Sequence, residues 1–318
     1  MKGLTDIPGI RVGHVSDFGA LTGCTAILCE QGAAAGVDIR GSATGTEEIA
    51  TLDPGHVTDR IHGILLAGGS AFGLEAASGV RRYLERRGVG YPTGAAKVPI
   101  VPAAILYDLG IGRADVRPSL AMGEAAASAA TTEAVKEGCV GAGTGATVGK
   151  LLGIKQAMKS GLGSFTVSLP DGVMVSSLVA VNALGDIRDP ATGKIIAGAR
   201  RSTDSREFVD AEDQMKRGVR GARTISHTTL AVVATNASLT KVQATKLAQL
   251  AGLGMARTIY PVNTMFDGDI VFALSLGEKQ ADINTVGVAA ADAVGQAILR
   301  AVRLATTMGG VPGLASWK

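Results

Sequence analysis

The chain has 318 residues, at the upper end of what one domain holds and enough to bury a large core. Apolar residues make up 46% of it, which excludes disorder, but with one Trp, four Tyr and six Phe the core must be aliphatic. A formal net charge of +3 argues against a dedicated nucleic-acid binder, which should carry a basic face. In chain order, a short apolar run predicts a buried strand over 24–29 and another over 63–67. Helical spacing over 72–87 ends in Arg81, Arg82, Arg86 and Arg87, which suits a helix C-terminus. A second helix is predicted over 119–137, after Pro118 and before Gly138, followed by strands over 165–169 and 176–181. From 199 to 226 apolar periodicity vanishes and charged residues crowd in, which reads as a long polar loop. It runs into His227 and Thr228 and then a buried-looking strand over 230–234. Helices over 240–250 and 283–304 flank a last strand over 269–276, giving an α/β or α+β core.

Membrane and export signals are not expected. No apolar run approaches the roughly 18 residues of a transmembrane span, and residues 1–12 lack the apolar stretch of a secretion signal. Cys24, Cys29 and Cys139 cannot all pair with one another, so they read as reduced thiols of a cytoplasmic protein.

Several familiar signatures fail on inspection. Residues 141–150 resemble a phosphate loop, but Thr144 stands where Gly is needed and Leu151 where Ser or Thr would hold magnesium. Around Ser70 the second glycine of a nucleophile elbow comes one residue late, at Gly73. His14, His56, His62 and His227 have no metal-type spacing, so neither a metal site nor a cofactor is expected. So few histidines also make a Ser-His-Asp arrangement hard to build.

An N-terminal nucleophile needs no histidine. A chain cut before Thr228 would free an α-amine with a pKa of about 7.7–8.0, able to act as base for its own hydroxyl. Thr228 heads a core strand just after a polar segment, where a processing point is plausible. Asp267 and Asp269 sit in a turn before another strand; they suit orienting an amine or hydroxyl, and equally suit ordinary turn capping.

Four segments carry a resemblance: 4–14 (LTDIPGIRVGH), 66–74 (LAGGSAFGL), 145–150 (GATVGK) and 228–236 (TTLAVVATN). Over nearly its whole length the chain resembles the self-processing hydrolases that include the L-aminopeptidase/D-esterase and the 6-aminohexanoate-oligomer endohydrolase. The resemblance implies an α+β fold, a four-layer αββα sandwich like that of N-terminal-nucleophile hydrolases but with its own connectivity. It implies one domain over 1–318, cut into 1–227 and 228–318. It implies Thr228 as nucleophile, Lys150, Asn182 and Tyr107 as polar groups around it, and Asp267 and Asp269 as an acidic pair. Asn182 is then expected to donate to the oxyanion, Lys150 to stabilise the same charge, and Tyr107 to bond the scissile carbonyl.

Two departures stand out. His227 precedes the nucleophile where the family more often has Asn or Gly, and Ile105 replaces an acidic residue that binds the substrate's free amine in aminopeptidase members. The expected activity is therefore hydrolysis of small peptides or linear amide oligomers. An aminopeptidase or β-peptidyl aminopeptidase is the alternative, and a silent, uncleaved binding member is the alternative of another class. A homo-tetramer of the cleaved unit, without nucleic-acid or membrane partners, completes the expectation.

Overall fold

Side chains of a strand alternate between two faces, and here both faces are apolar, so each strand must be covered on both sides. The computed structural model describes residues 1–219 and 227–317; residues 220–226, the end of the polar stretch, and Lys318 lie outside the described residues. Nine strands share one hydrogen-bonded network: β1 (Arg11–Asp17), β2 (Thr22–Ile39), β3 (Gly45–Glu47), β4 (Ile61–Ala67), β5 (Ala103–Ile105), β6 (Leu162–Ser168), β7 (Met174–Asn182), β8 (Thr228–Ala237) and β9 (Ile270–Lys279). Their order is β6-β7-β8-β9-β2-β4-β5-β3, with β1 on β2.

The 18-residue β2 joins two layers. Its first half pairs with β1 and β4; the β4 ladder then shifts between Leu28 and Ala33, where Gly32 takes φ 85°. Only beyond that bulge do Ala34–Ile39 pair with β9. β8–β9 and β4–β5 are parallel, and the other pairings of this network are antiparallel.

Among the described residues five α-helices pack with these strands: α1 (Glu75–Arg86), α2 (Leu120–Ser128), α3 (Ala211–Lys216), α4 (Lys241–Ala256) and α5 (Ile283–Arg303). Leu230, Val232 and Ala234 of β8, with Ile270, Phe272 and Leu274 of β9, pack against Ile27, Ile64 and Leu66 of the other layer. The alternate residues Ala231, Val233, Val271 and Ala273 pack against Leu247 of α4 and Val294 and Ile298 of α5. Leu28, Leu65 and Ala67 pack against Ala76 and Val80 of α1. The result is the αββα sandwich expected from the resemblance.

Tertiary pairing moves several element ends. The helix expected over 119–137 stops at Ser128, because Val12 and Thr131 exchange backbone hydrogen bonds of 3.0 and 3.1 Å. The segment 70–74 is a 3-10 turn that precedes α1, and α4 runs on to Ala256 behind a Thr240 capping box. α5 is long and apolar enough to cross a membrane by length and composition, although charged and polar residues interrupt it so that no unbroken apolar run spans it. It packs on β6 and β7 with 72% of its apolar window buried, as a core helix.

Phe272 is the one fully buried aromatic side chain among the described residues, set between the two sheets. Phe272→Ala is expected to destabilise the fold by about 3–5 kcal/mol, read from the midpoint of urea unfolding.

Candidate active site

Strand register brings the site together. The antiparallel β7–β8 ladder sets Asn182 opposite Thr228, both in phase with the residues that face the other sheet. The parallel β8–β9 ladder sets Leu230 beside Ile270, and just before it Asp269 Oδ1 accepts from the Thr229 N–H at 2.6 Å. His227 forms a parallel bridge with Asp267. Lys150 arrives from a separate stretch, held because its N–H donates to the Leu184 carbonyl oxygen at 2.9 Å. The Lys150 ammonium donates to the Asn182 carbonyl oxygen at 2.8 Å and to Asn182 Oδ1 at 2.7 Å. Tyr107 lies just past β5, and its carbonyl oxygen accepts from Asn182 Nδ2 at 3.0 Å. All six residues named from the sequence therefore meet at the start of β8.

The peptide between His227 and Thr228 is held from two sides. The Thr228 hydroxyl donates to the His227 carbonyl oxygen at 2.5 Å, and the Gly268 N–H donates to the same oxygen at 2.8 Å. Gly268 was not singled out from the sequence, although its place between the two aspartates was the available signal. A Cβ there would lie 2.7 Å from Thr228 Oγ1 and 2.8 Å from the Ala43 carbonyl oxygen, so the position admits only glycine.

The aspartates bond the backbone around Thr228. Asp269 Oδ2 accepts from Asn263 N–H at 3.0 Å; Asp267 accepts from Leu184 N–H at 3.4 Å and from Thr264 N–H and hydroxyl at 3.0 and 2.5 Å. Burial, reinforced by the Asp267 charge, pushes Asp269 up to about 7. Burial also raises Asp267. It pushes Lys150 down to about 7, against the pull of Asp267, Asp269 and Asp108. The His227 imidazole is pushed down to about 2 by burial and then by the Lys150 charge.

A cleft of about 200 Å³ opens beside this peptide, walled by Tyr107, Ile111, Lys150, Ile154 and His227 among others. Thr228 itself is buried. Ile105 is not on the cleft wall; it packs in the α1–α2 layer and over Gly45, so its apolar character says nothing about an amine site. Ser70 heads the 3-10 turn with φ 55°. No described histidine bonds it: His14 pairs with Thr25, His56 with Thr58, His62 accepts from Ile100 N–H, and His227 Nδ1 has no partner. Among the described residues no cluster of His, Cys, Asp or Glu could hold a metal ion.

Residues 2–315 match peptidase family S58. An uncharacterized aminopeptidase of Mycobacterium tuberculosis is 37% identical over 343 residues, covering 98% of this chain and 96% of that protein. A 6-aminohexanoate-oligomer endohydrolase of Agromyces is 32% identical over 276 residues, covering 86% of this chain and 74% of that protein. The chain belongs to peptidase family S58 and is an amide-bond hydrolase. The L-aminopeptidase D-Ala-esterase/amidase of Ochrobactrum anthropi, a variant of the Ntn-hydrolase fold, superposes with a TM-score of 0.74 at 20% identity, covering 98% of this chain and 88% of that one. A Burkholderia β-aminopeptidase superposes with a TM-score of 0.69 at 24% identity, covering 98% and 90%. These likenesses carry the fold.

Two outcomes follow from the geometry. Gly268→Ala is expected to displace the Thr228 hydroxyl and slow reaction at that residue by about 10²-fold or more, followed as fragment formation and amide turnover in folded protein. Lys150 titrates near 7 in the fold and near 10.5 when unfolded, so it adds stability above 10.5 that is lost as pH falls towards 7. Melting of wild type should therefore rise relative to Lys150→Met between pH 7 and 10; parallel curves would place the ammonium in water.

Proposed function

We propose that the chain cuts itself between His227 and Thr228 and that Thr228 then hydrolyses amide bonds in small peptides or linear amide oligomers. The observation that carries this reading is the His227 carbonyl oxygen, held by the Thr228 hydroxyl and the Gly268 N–H. In the first reaction Thr228 Oγ attacks the His227 carbonyl carbon. Negative charge gathers on the carbonyl oxygen, where the Gly268 N–H already points. The C–N bond breaks, the Thr228 nitrogen takes the hydroxyl proton, and an ester joins His227 to Thr228 Oγ. Water cleaves that ester, leaving a carboxylate on His227, a free amine on Thr228 and fragments 1–227 and 228–318.

In the second reaction the freed amine takes the proton from the same hydroxyl as it attacks a substrate carbonyl. The nearby Lys150 charge lowers the amine pKa and keeps it neutral, while Asp267 and Asp269 hold the strand ends around it. Asn182 stands opposite Thr228 across the β7–β8 ladder, and Tyr107 lines the cleft beside it. The names of the relatives support both endo-acting hydrolysis and aminopeptidase action. Because Ile105 lies away from the cleft, the two are separated by comparing amine-blocked and free-amine versions of one substrate.

A cytoplasmic homo-tetramer of the processed unit belongs to the same proposal. The three free, buried cysteines support the location. The Ala and Gly residues of α4 and α5 are largely spent inside the protomer, so light scattering must decide the assembly.

Intact-mass spectrometry should find two fragments whose masses sum to the chain plus one water. Thr228→Ala should stay whole and inert, and Thr228→Ser should still cut. Asn182→Ala should slow both reactions by about 10²–10³ and, by removing an acceptor of the buried Lys150 ammonium, lower the melting temperature. A whole, active Thr228→Ala protein would move the nucleophile elsewhere.

A further inference from the structure

The cleft beside the scissile peptide can be read further, on the premise that Thr228 is the nucleophile. Self-cleavage and substrate turnover pass through the same kind of intermediate, an ester on Thr228 Oγ. In the first the acyl group is the chain ending in His227; in the second it is the acyl part of the substrate. Nucleophile and oxyanion donor are the same in both, so the two acyl groups must leave the carbonyl carbon along the same path.

That path is visible in the uncut chain. His227 is one wall of the cleft, facing Tyr107, Lys150 and Ile154. Its side chain is buried, and Nδ1 has no hydrogen-bond partner among the described residues. The charge it feels is that of Lys150, which together with burial keeps the imidazole neutral. Among the described residues the one carboxylate on the cleft wall is Asp108, which already accepts from the Thr22 hydroxyl at Oδ2 and from the Gly69 N–H at Oδ1, both at 2.7 Å. After cleavage the imidazole can withdraw, and its space joins the cleft.

We infer that this cleft is the acyl subsite of the processed enzyme and that it selects uncharged acyl side chains over cationic ones. A cation entering it meets the Lys150 ammonium in a desolvated setting and finds no free carboxylate on the wall. An uncharged side chain loses nothing there and gains the contact of Tyr107, Ile111 and Ile154.

Two series test this. In the first, His227→Met and His227→Lys chains are followed for fragment formation, with circular dichroism confirming that each folds. In the second, processed wild-type enzyme is given the p-nitroanilides of norleucine and lysine, each with free and acetylated amine. Norleucine and lysine share a straight four-carbon side chain and differ in the terminal ammonium. The uncharged member should be faster in both series, by roughly a hundredfold, the scale that like-charge juxtaposition imposes. Equal rates, or a preference for lysine, in the nitroanilide series overturn the inference even if a His227 variant fails to fold. A wild-type chain that neither cuts itself nor releases nitroaniline overturns the Thr228 reading instead, and the inference falls with it.

Discussion

A lysine ammonium taken out of water costs several kcal/mol unless good acceptors and opposite charge surround it. Lys150 is 7% exposed, and among the described residues its ammonium donates to two atoms of Asn182, the carbonyl oxygen and Oδ1. Because Oδ1 also accepts from the Thr147 N–H at 3.1 Å, the Asn182 amide has one orientation, with Nδ2 turned to the Tyr107 carbonyl oxygen. One buried cation thus sets the rotamer of the residue that faces Thr228 across the β7–β8 ladder. It also accounts for carboxylates at this depth: Asp267, Asp269 and Asp108 all act on its charge.

The acidic pair has a mechanical role as well as an electrostatic one. Asp267 and Asp269 each take backbone N–H groups from the turn after β7, from the 263–264 turn or from β8. Between them Gly268 is left with its N–H on the His227 carbonyl and no room for a side chain. Carboxylates that look like acid–base groups therefore also aim an amide.

The sandwich puts this cluster where it is by sharing β2 between its layers. The bulge near Gly32 lets one strand bond to β4 in the first half and to β9 in the second. The two sheets then face one another over a common aliphatic core, and the open ends of β7, β8 and β9 lie at one rim. The cleft forms there, between those strand ends and the Tyr107 and Lys150 segments.

Short, nearly continuous apolar runs made the strands at 24–29, 63–67, 230–234 and 269–276 legible, because both faces of each are buried and the pattern is local. The abrupt passage from a polar stretch to a core strand pointed to Thr228 for the same reason. Asp267 and Asp269 showed as a turn before a strand, while Tyr107, Lys150 and Asn182 were named through resemblance, since nothing in their spacing joins them. What local pattern could not contain was decided by pairing across the chain. α2 ends early because Thr131 is needed beside Val12, and Ile105 points away from the cleft because β5 is in register with β4 and β3. Gly268 became visible only when the β8–β9 ladder brought it against His227, 41 residues earlier in sequence by number alone. By itself the sequence pointed to the buried strands and to Thr228 at the head of one of them. Only the tertiary structure decided which amide, cation and cleft Thr228 meets, because those contacts depend on register between strands far apart in the chain, and register is a property of the whole sheet.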